Sequence, residues 1–531
     1  MGVLNKLGYY TRMASGLYAL LRTPPHADPD GVIRHQLENR ERHFLELARR
    51  AIFSNPANPY CQLFQLAGCT YDDLAEAVRR DGLESTLAAL HRQGVYLSHD
   101  EFKGKQPIRR SNREIQATPD AFRNPLVKGG TVTSSTGSRS AAASTPKSTL
   151  QRLHWEAYFA LSIREFGLAV RPRLQLKPIL PAGDGLMVPV SHSRLGCPTE
   201  KWFSTFARSL DSTHYQTATR GLVTLARCFG EHVPYPTYLP PNDFAPVAEW
   251  IARRAQQGVP CAVSSHPSPA VRVAAAAAEK GLDIRGTLFT VVGEALTDAK
   301  RRVIEAAGAE VYPTYGATEI GYIAWACRHM RTGNRGHLFH DSVAVISYRR
   351  AAPLSDTQVD SLLFTTLLPS SGLVLINVEM DDAGILEKTS CDCTFSRAGF
   401  TTQIRDIFSY GKLTGQGVTL VGTDILDILE NVLPARFGGG PTDYQLVEQD
   451  GATQARLILR VSRRVPIPSP EAVRDCFLGE LRRFQGGTGA LRTLRTTQGV
   501  EVLHEDPVTT RTGKVLPLHL LGPGTRTSRA S

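Results

Sequence analysis

Between residues 261 and 312 the chain switches repeatedly between two hydrophobic periods. Cys261-Ala262-Val263 reads as a strand, Ala270–Lys280 as a helix and Leu288-Phe289-Thr290-Val291-Val292 as a strand. Asp298–Ala307 is again helical, and Glu310-Val311-Tyr312 is again a strand. Strands alternating with helices argue for parallel pairing, with the helices covering the faces of the sheet. This alternation predicts an α/β body. Ser361–Leu368 and Val374-Leu375-Ile376 are β-type runs without an intervening helix, so an antiparallel or barrel-like portion is expected there.

Flanking segments have other patterns. Residues 31–100 carry apolar residues at three- and four-residue spacing, with Thr70 before Tyr71-Asp72-Asp73 as an expected N-cap. A long helical pattern runs from Leu150 to Phe166. After residue 405 the pattern resets to a helical stretch at Asp424–Leu433, a Gly-Gly-Gly run at 438–440 and a strand at Ala455–Val461. A helix follows at Pro470–Phe484, with Ser469 as its cap, and then a strand at Gly499–His504. The expected organisation is a helical region at 1–110 packed on the large domain, a large α/β domain at 111–404 and a small mobile α+β domain at 405–531. A chain of 531 residues is long enough for two or three such cores.

Composition narrows the function classes. The net charge is +11, which favours anionic partners, but the basic residues are scattered as pairs such as Arg109-Arg110, Arg253-Arg254 and Arg349-Arg350. Nucleic-acid binders concentrate such charge in a stripe, so nucleic acid is not expected as a partner. Of the 61 basic residues 12 are Lys, which gives a lysine inside a motif added weight. Nine scattered cysteines suit a reducing cytoplasm better than a disulfide scaffold. Lys6 and Arg12 interrupt the apolar residues of Met1–Leu21, which predicts an amphipathic helix packed on the body, with no membrane span.

Several motifs could carry chemistry. Thr133-Ser134-Ser135-Thr136-Gly137 is a hydroxyl- and glycine-rich loop that either wraps a polyphosphate or is a solvated linker. It lacks the Gly-Lys-Ser/Thr of a Walker A loop. Tyr315-Gly316-Ala317-Thr318-Glu319 follows a strand, where α/β sheets bind ligands. Its ring could stack on a base, its glycine admits close backbone approach and its carboxylate could hold Mg²⁺. Val292-Gly293-Glu294 is a second strand-end turn. Asp381-Asp382, Arg405-Asp406 and Thr512-Gly513-Lys514 are common combinations in isolation. His266 and His340 receive no assignment. Cys391 and Cys393 form the one close cysteine pair, without a second Cys or His pair at matching zinc spacing.

Taken in order, these motifs resemble the adenylate-forming superfamily of acyl-CoA synthetases, peptide-synthetase adenylation domains and luciferases, and most of all its phenylacetate–CoA ligase-like branch. Residues 125–520 carry the resemblance. Tyr315–Glu319 matches the family's Tyr-Gly-x-Thr-Glu in full. Ser135-Thr136-Gly137 matches the second half of its phosphate loop, and Gly293-Glu294 its Gly-Gly-Glu turn with Val292 in place of the first glycine. Asp382 resembles the ribose-binding Asp, with Asp381 where the family has glycine. Arg405 resembles the hinge arginine, with Ile404 in place of its glycine, and Lys514 the catalytic C-terminal lysine. Cys391-Asp392-Cys393 resembles the branch's Cys-x-Cys-Gly. Arg139 and Ser140 stand where the family closes its phosphate loop with Pro-Lys, and Pro146-Lys147 lies too far downstream in sequence to take that place.

The resemblance implies an enzyme, an ATP-dependent acid–thiol ligase with Mg²⁺ and, where the acceptor is CoA, CoA. A carboxylic acid is converted to acyl-AMP with release of pyrophosphate, then passed to a thiol. Lys514 would stabilise charge at phosphorus, Glu319 would hold Mg²⁺ with Thr318 beside it, and Ser135, Thr136 and Gly137 would hold pyrophosphate. Tyr315 would lie on the adenine, Gly293, Glu294 and Gly316 would belong to the nucleotide-binding set, and Asp382 and Arg405 would position the ribose. Two alternatives stay open: transfer to a carrier protein, a protein Cys or an amine, and a nucleotide-binding homologue without turnover.

Overall fold

The computed structural model describes residues 3–134, 144–205, 213–240, 242–414, 420–421, 425–449, 456–483, 500–510 and 513–521. Two short antiparallel hairpins come first, β1 (Ile108–Arg110) with β2 (Arg113–Ile115) and β3 (Thr131–Ser134) with β4 (Ser144–Lys147). The parallel strands are β5 (Arg173–Leu176), β6 (Lys201–Ser204), β7 (Pro236–Tyr238), β8 (Ala262–Ser265), β9 (Leu288–Val292) and β10 (Glu310–Ala317). They lie in the order β7-β6-β5-β8-β9-β10, with the helices Pro267–Glu279 and Asp298–Ala306 as crossovers. The alternation at 261–312 is thus a parallel sheet, and its strands are apolar because both faces are covered.

The same sheet continues antiparallel. Beyond β10 come β11 (Gly321–Trp325), β12 (Gly336–Leu338), β13 (Val343–Ala351), β14 (Gln358–Thr366), β15 (Val378–Lys388) and β16 (Thr402–Ser409). Their order, β11-β12-β16-β15-β14-β13, completes a twelve-stranded sheet. The run Val374-Leu375-Ile376, expected as β, is instead a buried irregular segment. Side chains satisfy much of its backbone. Leu375 N donates to Thr366 Oγ1 (3.0 Å), and Ile376 N donates to Tyr60 Oη (2.9 Å), which in turn donates to Ile376 O (2.9 Å).

The N-terminal helices rest on this antiparallel half. Phe44, Tyr60, Phe64 and Leu87 share one apolar cluster with Val345, Phe364 and Leu375. Thr70 caps Tyr71–Asp81 as expected, and Asp73 returns the bond to Thr70 N (2.9 Å). The first helix, Val3–Arg22, buries Tyr9, Met13, Leu17 and Leu20 with Val132, Leu153 and Trp202. It presses so closely behind β3 that a Cβ on Gly16 would lie 2.3 Å from Gly130 C.

Residue 405 is not where the large sheet ends. β16 runs through it to Ser409, because Arg405 pairs with Ile385 of β15 inside the ladder. The C-terminal unit contains a helical run at 425–437, β17 (Tyr444–Gln449), β18 (Arg456–Val461), the helix Pro470–Arg483, β19 (Val500–Leu503) and β20 (Leu518–Leu521). Its four strands lie in the order β19-β18-β17-β20. Its core is continuous with Ala352, Val359 and Ala383 at the edge of the large sheet. Among the described residues no helix is long and apolar enough to cross a membrane.

Tyr60→Phe removes the donor and the acceptor that serve Ile376, leaving two buried backbone groups unpaired. The expected loss is about 1–3 kcal/mol of stability, read as a lower urea midpoint at unchanged slope.

Candidate active site

The carboxyl ends of β5, β8, β9 and β10 open onto one cleft of about 360 Å³. Lys177 follows β5, His266 follows β8, Gly293 follows β9, and Gly316–Glu319 form the end of β10 and its turn. Side chains there converge because every parallel strand of an α/β sheet delivers its following loop to the same edge. Asp382 and Ser409 reach the cleft from β15 and β16. An inner pocket of about 120 Å³ shares Gly293, Gly316, Asp382, Ser409, Lys412 and Leu516 with it and adds Glu294, Tyr315 and Phe408. A third, small cavity of about 30 Å³ shares Lys177, Asp184 and Tyr322 and extends to Phe159, Val188 and Trp325.

Five of the 12 lysines line the cleft: Lys103, Lys147, Lys177, Lys412 and Lys514. Three of these are buried enough to titrate low. Burial brings Lys147 and Lys177 down to about 7, with Arg152 adding to the effect at Lys147 and Asp184 opposing it at Lys177. Burial and the neighbouring Lys412 bring Lys514 down to about 8. Lys177 Nζ has no hydrogen-bond partner among the described residues. A buried amine left without an acceptor is costly until an anion or water pairs with it.

Glu319 is the acidic counterweight. Its carboxylate receives the Lys103 ammonium, and Lys147 Nζ donates to its main-chain oxygen at 3.2 Å. Burial pushes the Glu319 carboxyl up, but Lys103 outweighs it and the net shift is downward. Thr318 lines the cleft beside it. Lys147 reaches this place because β4 pairs with β3 in the register Thr131↔Lys147. The sequence separation that argued against Pro146-Lys147 is absorbed between the two strands of a hairpin. Ser135, Thr136 and Gly137 lie between these strands, outside the described residues.

Tyr315 and Asp382 meet in the inner pocket, with Tyr315 Oη donating to Asp382 Oδ2 at 2.6 Å. Burial, helped by Asp382, holds the Tyr315 hydroxyl well above its ordinary range. Burial also raises the Asp382 carboxyl, against the pull of Lys412. Asp381 adopts φ +57°, a left-handed conformation that favours glycine, which accounts for the residue the family pattern has there. The side chain of Asp381 approaches His99 Nδ1 at 3.3 Å.

Lys514 enters from the C-terminal unit. Gly513 N donates to Thr510 O (2.9 Å), and the Lys514 ammonium donates to Gly293 O, 3.0 Å away. Gly293 has φ +89°, a backbone conformation that favours glycine, and a Cβ there would lie 2.5 Å from Lys514 Nζ and displace the ammonium. Val515 N donates to Ser268 Oγ (3.3 Å), and Ser268 donates to the Glu294 carboxylate, whose other oxygen has no partner among the described residues. His266 lines the cleft with Nδ1 at 2.5 Å from Val292 O, and burial and Lys177 hold its pKa far down. His340 bonds Leu338 O and does not line the cleft.

Arg405 is not brought to the site. Its guanidinium is held by Glu387 (2.8 Å) and Asp406, and it lines neither the cleft nor the inner pocket. The sequence did not point to Lys103, Lys177, Lys412, Asp184 or His99. For the three lysines the one advance signal is the scarcity of lysine, and Asp184 and His99 had none.

No protein-family model matches the sequence, and no curated protein matches it either. Solved structures do. The chain is similar to 2-hydroxyisobutyryl-CoA ligase in the postadenylation state in complex with 2-HIB-AMP, with a TM-score of 0.52 and 16% identity over 91% of this chain and 88% of that one. The same ligase in complex with R3-HIB-AMP gives a TM-score of 0.52 and 15% identity, at the same coverage. The chain therefore has the adenylate-forming fold, a large α/β part followed by a C-terminal domain.

Lys103→Met leaves the buried Glu319 carboxylate without its ammonium partner, and the expected cost is about 3 kcal/mol, as for breaking a buried ion pair. Adding Glu319→Gln to the same chain should recover most of that loss in a urea titration. Equal loss in the single and double variants would show that the pair carries no such coupling.

Proposed function

We propose that the protein is an AMP-forming acid–thiol ligase, which joins a small carboxylic acid to ATP and passes the acyl group to a thiol such as CoA. One observation carries this reading. Lys514, from the C-terminal unit, lies in the cleft of the large unit against Gly293 O, on the same edge as Glu319, Lys147 and Lys177. A nucleotide triphosphate supplies the negative charge that these lysines lack, and an acid attacking at α-phosphorus builds further charge there.

The roles follow from position. Lys177 and Lys514 would stabilise the charge that grows on the α-phosphate oxygens, and burial makes such contacts count for more than in water. Lys147 and Ser135, Thr136 and Gly137 would hold the leaving pyrophosphate. The inner pocket would take the nucleoside, with Tyr315 and Gly316 along the adenine, Gly293 and Glu294 at its edge and Asp382 on the ribose hydroxyls. The donor set suits Mg²⁺, which takes one or two carboxylates and completes its shell from phosphate and water. Glu319 would hold it, and when bound it neutralises phosphate charge. Lys103, which holds the same carboxylate, also lines the cleft and could meet a phosphate there. The small cavity lined by Phe159, Val188 and Trp325 suits the acyl end of a small acid.

The finer assignment to the phenylacetate–CoA ligase-like branch is supported by Cys391-Asp392-Cys393. Arg405 is better read as a strand residue that fixes β15 to β16 than as a ribose contact. Transfer of the acyl group requires the adenylate to be uncovered, and the stretch after Ser409 is where the C-terminal unit would turn.

The test is ATP–pyrophosphate exchange across a panel of small carboxylic acids. At least one acid should support exchange, and Lys514→Ala should lower it about 10²–10³-fold while ATP binding persists. Exchange at the native rate in Lys514→Ala would remove its assigned role. ATP binding without exchange for any acid would favour a nucleotide-binding protein without turnover.

A further inference from the structure

Away from the cleft, four metal-ligating side chains converge that no motif joined in sequence. Cys327 follows β11, His337 lies on β12, and Cys391 and Cys393 lie between β15 and β16. Their ligand atoms, three Sγ and one ring nitrogen, all lie within 4.8 Å of one another, and three of the four residues are buried. Cys327 Sγ is 3.5 Å from Cys391 Sγ, and Cys393 Sγ is 3.1 Å from His337 Nε2. Around a tetrahedral zinc with bonds of about 2.3 Å to sulfur and 2.0–2.1 Å to nitrogen, such atoms stand roughly 3.5–3.8 Å apart.

The surroundings orient these ligands. His337 Nδ1–H donates to Phe400 O at 2.8 Å, which leaves Nε2 unprotonated and aimed at the sulfurs, the arrangement found behind metal-bound imidazoles. Ser396 N donates to Cys393 Sγ (3.3 Å), a bond suited to a thiolate. Glu165, on the helix Thr149–Phe166, accepts from Arg328 N (3.0 Å) and Thr394 N (2.8 Å), and so draws together the two loops that carry the cysteines. The Phe395 ring stacks on the imidazole with a centroid distance of 5.9 Å.

We infer that Cys327, His337, Cys391 and Cys393 form a structural zinc site. Three thiolates and one imidazole are soft and borderline donors that select zinc over Mg²⁺ or Ca²⁺. Four protein ligands leave no open position, which makes the site structural and not catalytic. Binding is redox-neutral: three thiol protons leave to solvent, each sulfur donates a lone pair, His337 stays neutral, and the site carries a net charge of −1. A disulfide between Cys327 and Cys391 would use two of the sulfurs and give no reason for His337 and Cys393 to face them. The metal would staple the β11–β12 loop to the β15–β16 connection. It would thereby fix the start of β16, the strand that leads to Ser409 and Lys412 in the cleft. The inference does not rest on the proposed enzymatic activity.

The experiment measures metal in the full-length protein purified under reducing conditions without chelator. One zinc per chain is expected, lost in Cys393→Ser and His337→Ala and retained in Cys228→Ser, which changes an exposed cysteine elsewhere. Because the first two variants can fail to fold, native protein stripped of metal and titrated with Co²⁺ gives a second readout. It should develop thiolate-to-cobalt charge transfer and the intense visible bands of a tetrahedral ion, saturating at one equivalent. Zinc-free native protein whose stripped form binds no Co²⁺ would overturn the inference. So would full zinc content in a folded Cys393→Ser chain, or a Cys327–Cys391 disulfide in the protein as isolated.

Discussion

Positive charge gathered in one cleft is the constraint to which the other features answer. Lys147 and Lys177 are buried, and Lys514 is held down in pKa by its surroundings. Removing an ammonium from water is costly unless something compensates it. Glu319 compensates in part, through Lys103 and through its main-chain oxygen to Lys147. Lys177 feels Asp184 but has no hydrogen-bond partner among the described residues, so a polyanion in the cleft would complete its pairing.

This constraint explains the division of labour between parts of the fold. The parallel half of the sheet delivers Lys177, His266, Gly293 and Glu319 to one edge. The antiparallel half brings Asp382 and Ser409 against that edge. The β3–β4 hairpin, backed by the helix Val3–Arg22, adds Lys147, and the N-terminal helical region adds Lys103 and His99. The C-terminal unit completes the set with Lys514. It is held there by Lys514 to Gly293 O and Val515 N to Ser268, by Lys300 to Glu430 (3.2 Å), Arg302 to Asn431 (2.6 Å) and Arg464 to Glu279 (2.9 Å), and by the apolar cluster it shares with Ala352, Val359 and Ala383.

What was legible in the sequence was local. Tyr315–Glu319 is a strand end and its turn, so its residues share a site whatever the remaining chain does. Strands and crossovers at 261–312 could be read from period alone. Lys514 stood out because lysine is rare here. What was not legible depended on pairing at a distance. Lys147 is placed by a hairpin register, and Lys103 by helix packing on the sheet. Arg405, expected at a hinge and on the ribose, lies instead inside β16 with its side chain turned toward Glu387, a placement set by strand pairing. The Cys327–His337–Cys391–Cys393 cluster joins positions up to 66 residues apart in number, through the neighbouring strands β12 and β16, which no spacing rule anticipates.

The central claim is that this cleft directs a carboxylate to the α-phosphorus of ATP. The most direct measurement uses a substrate acid labelled with ¹⁸O in its carboxylate, followed by mass spectrometry of the products of one turnover. Attack at α-phosphorus leaves one carboxylate oxygen on the nucleotide, so AMP should carry a single ¹⁸O and the pyrophosphate none. Label in inorganic phosphate, or unlabelled AMP alongside product, would contradict the account.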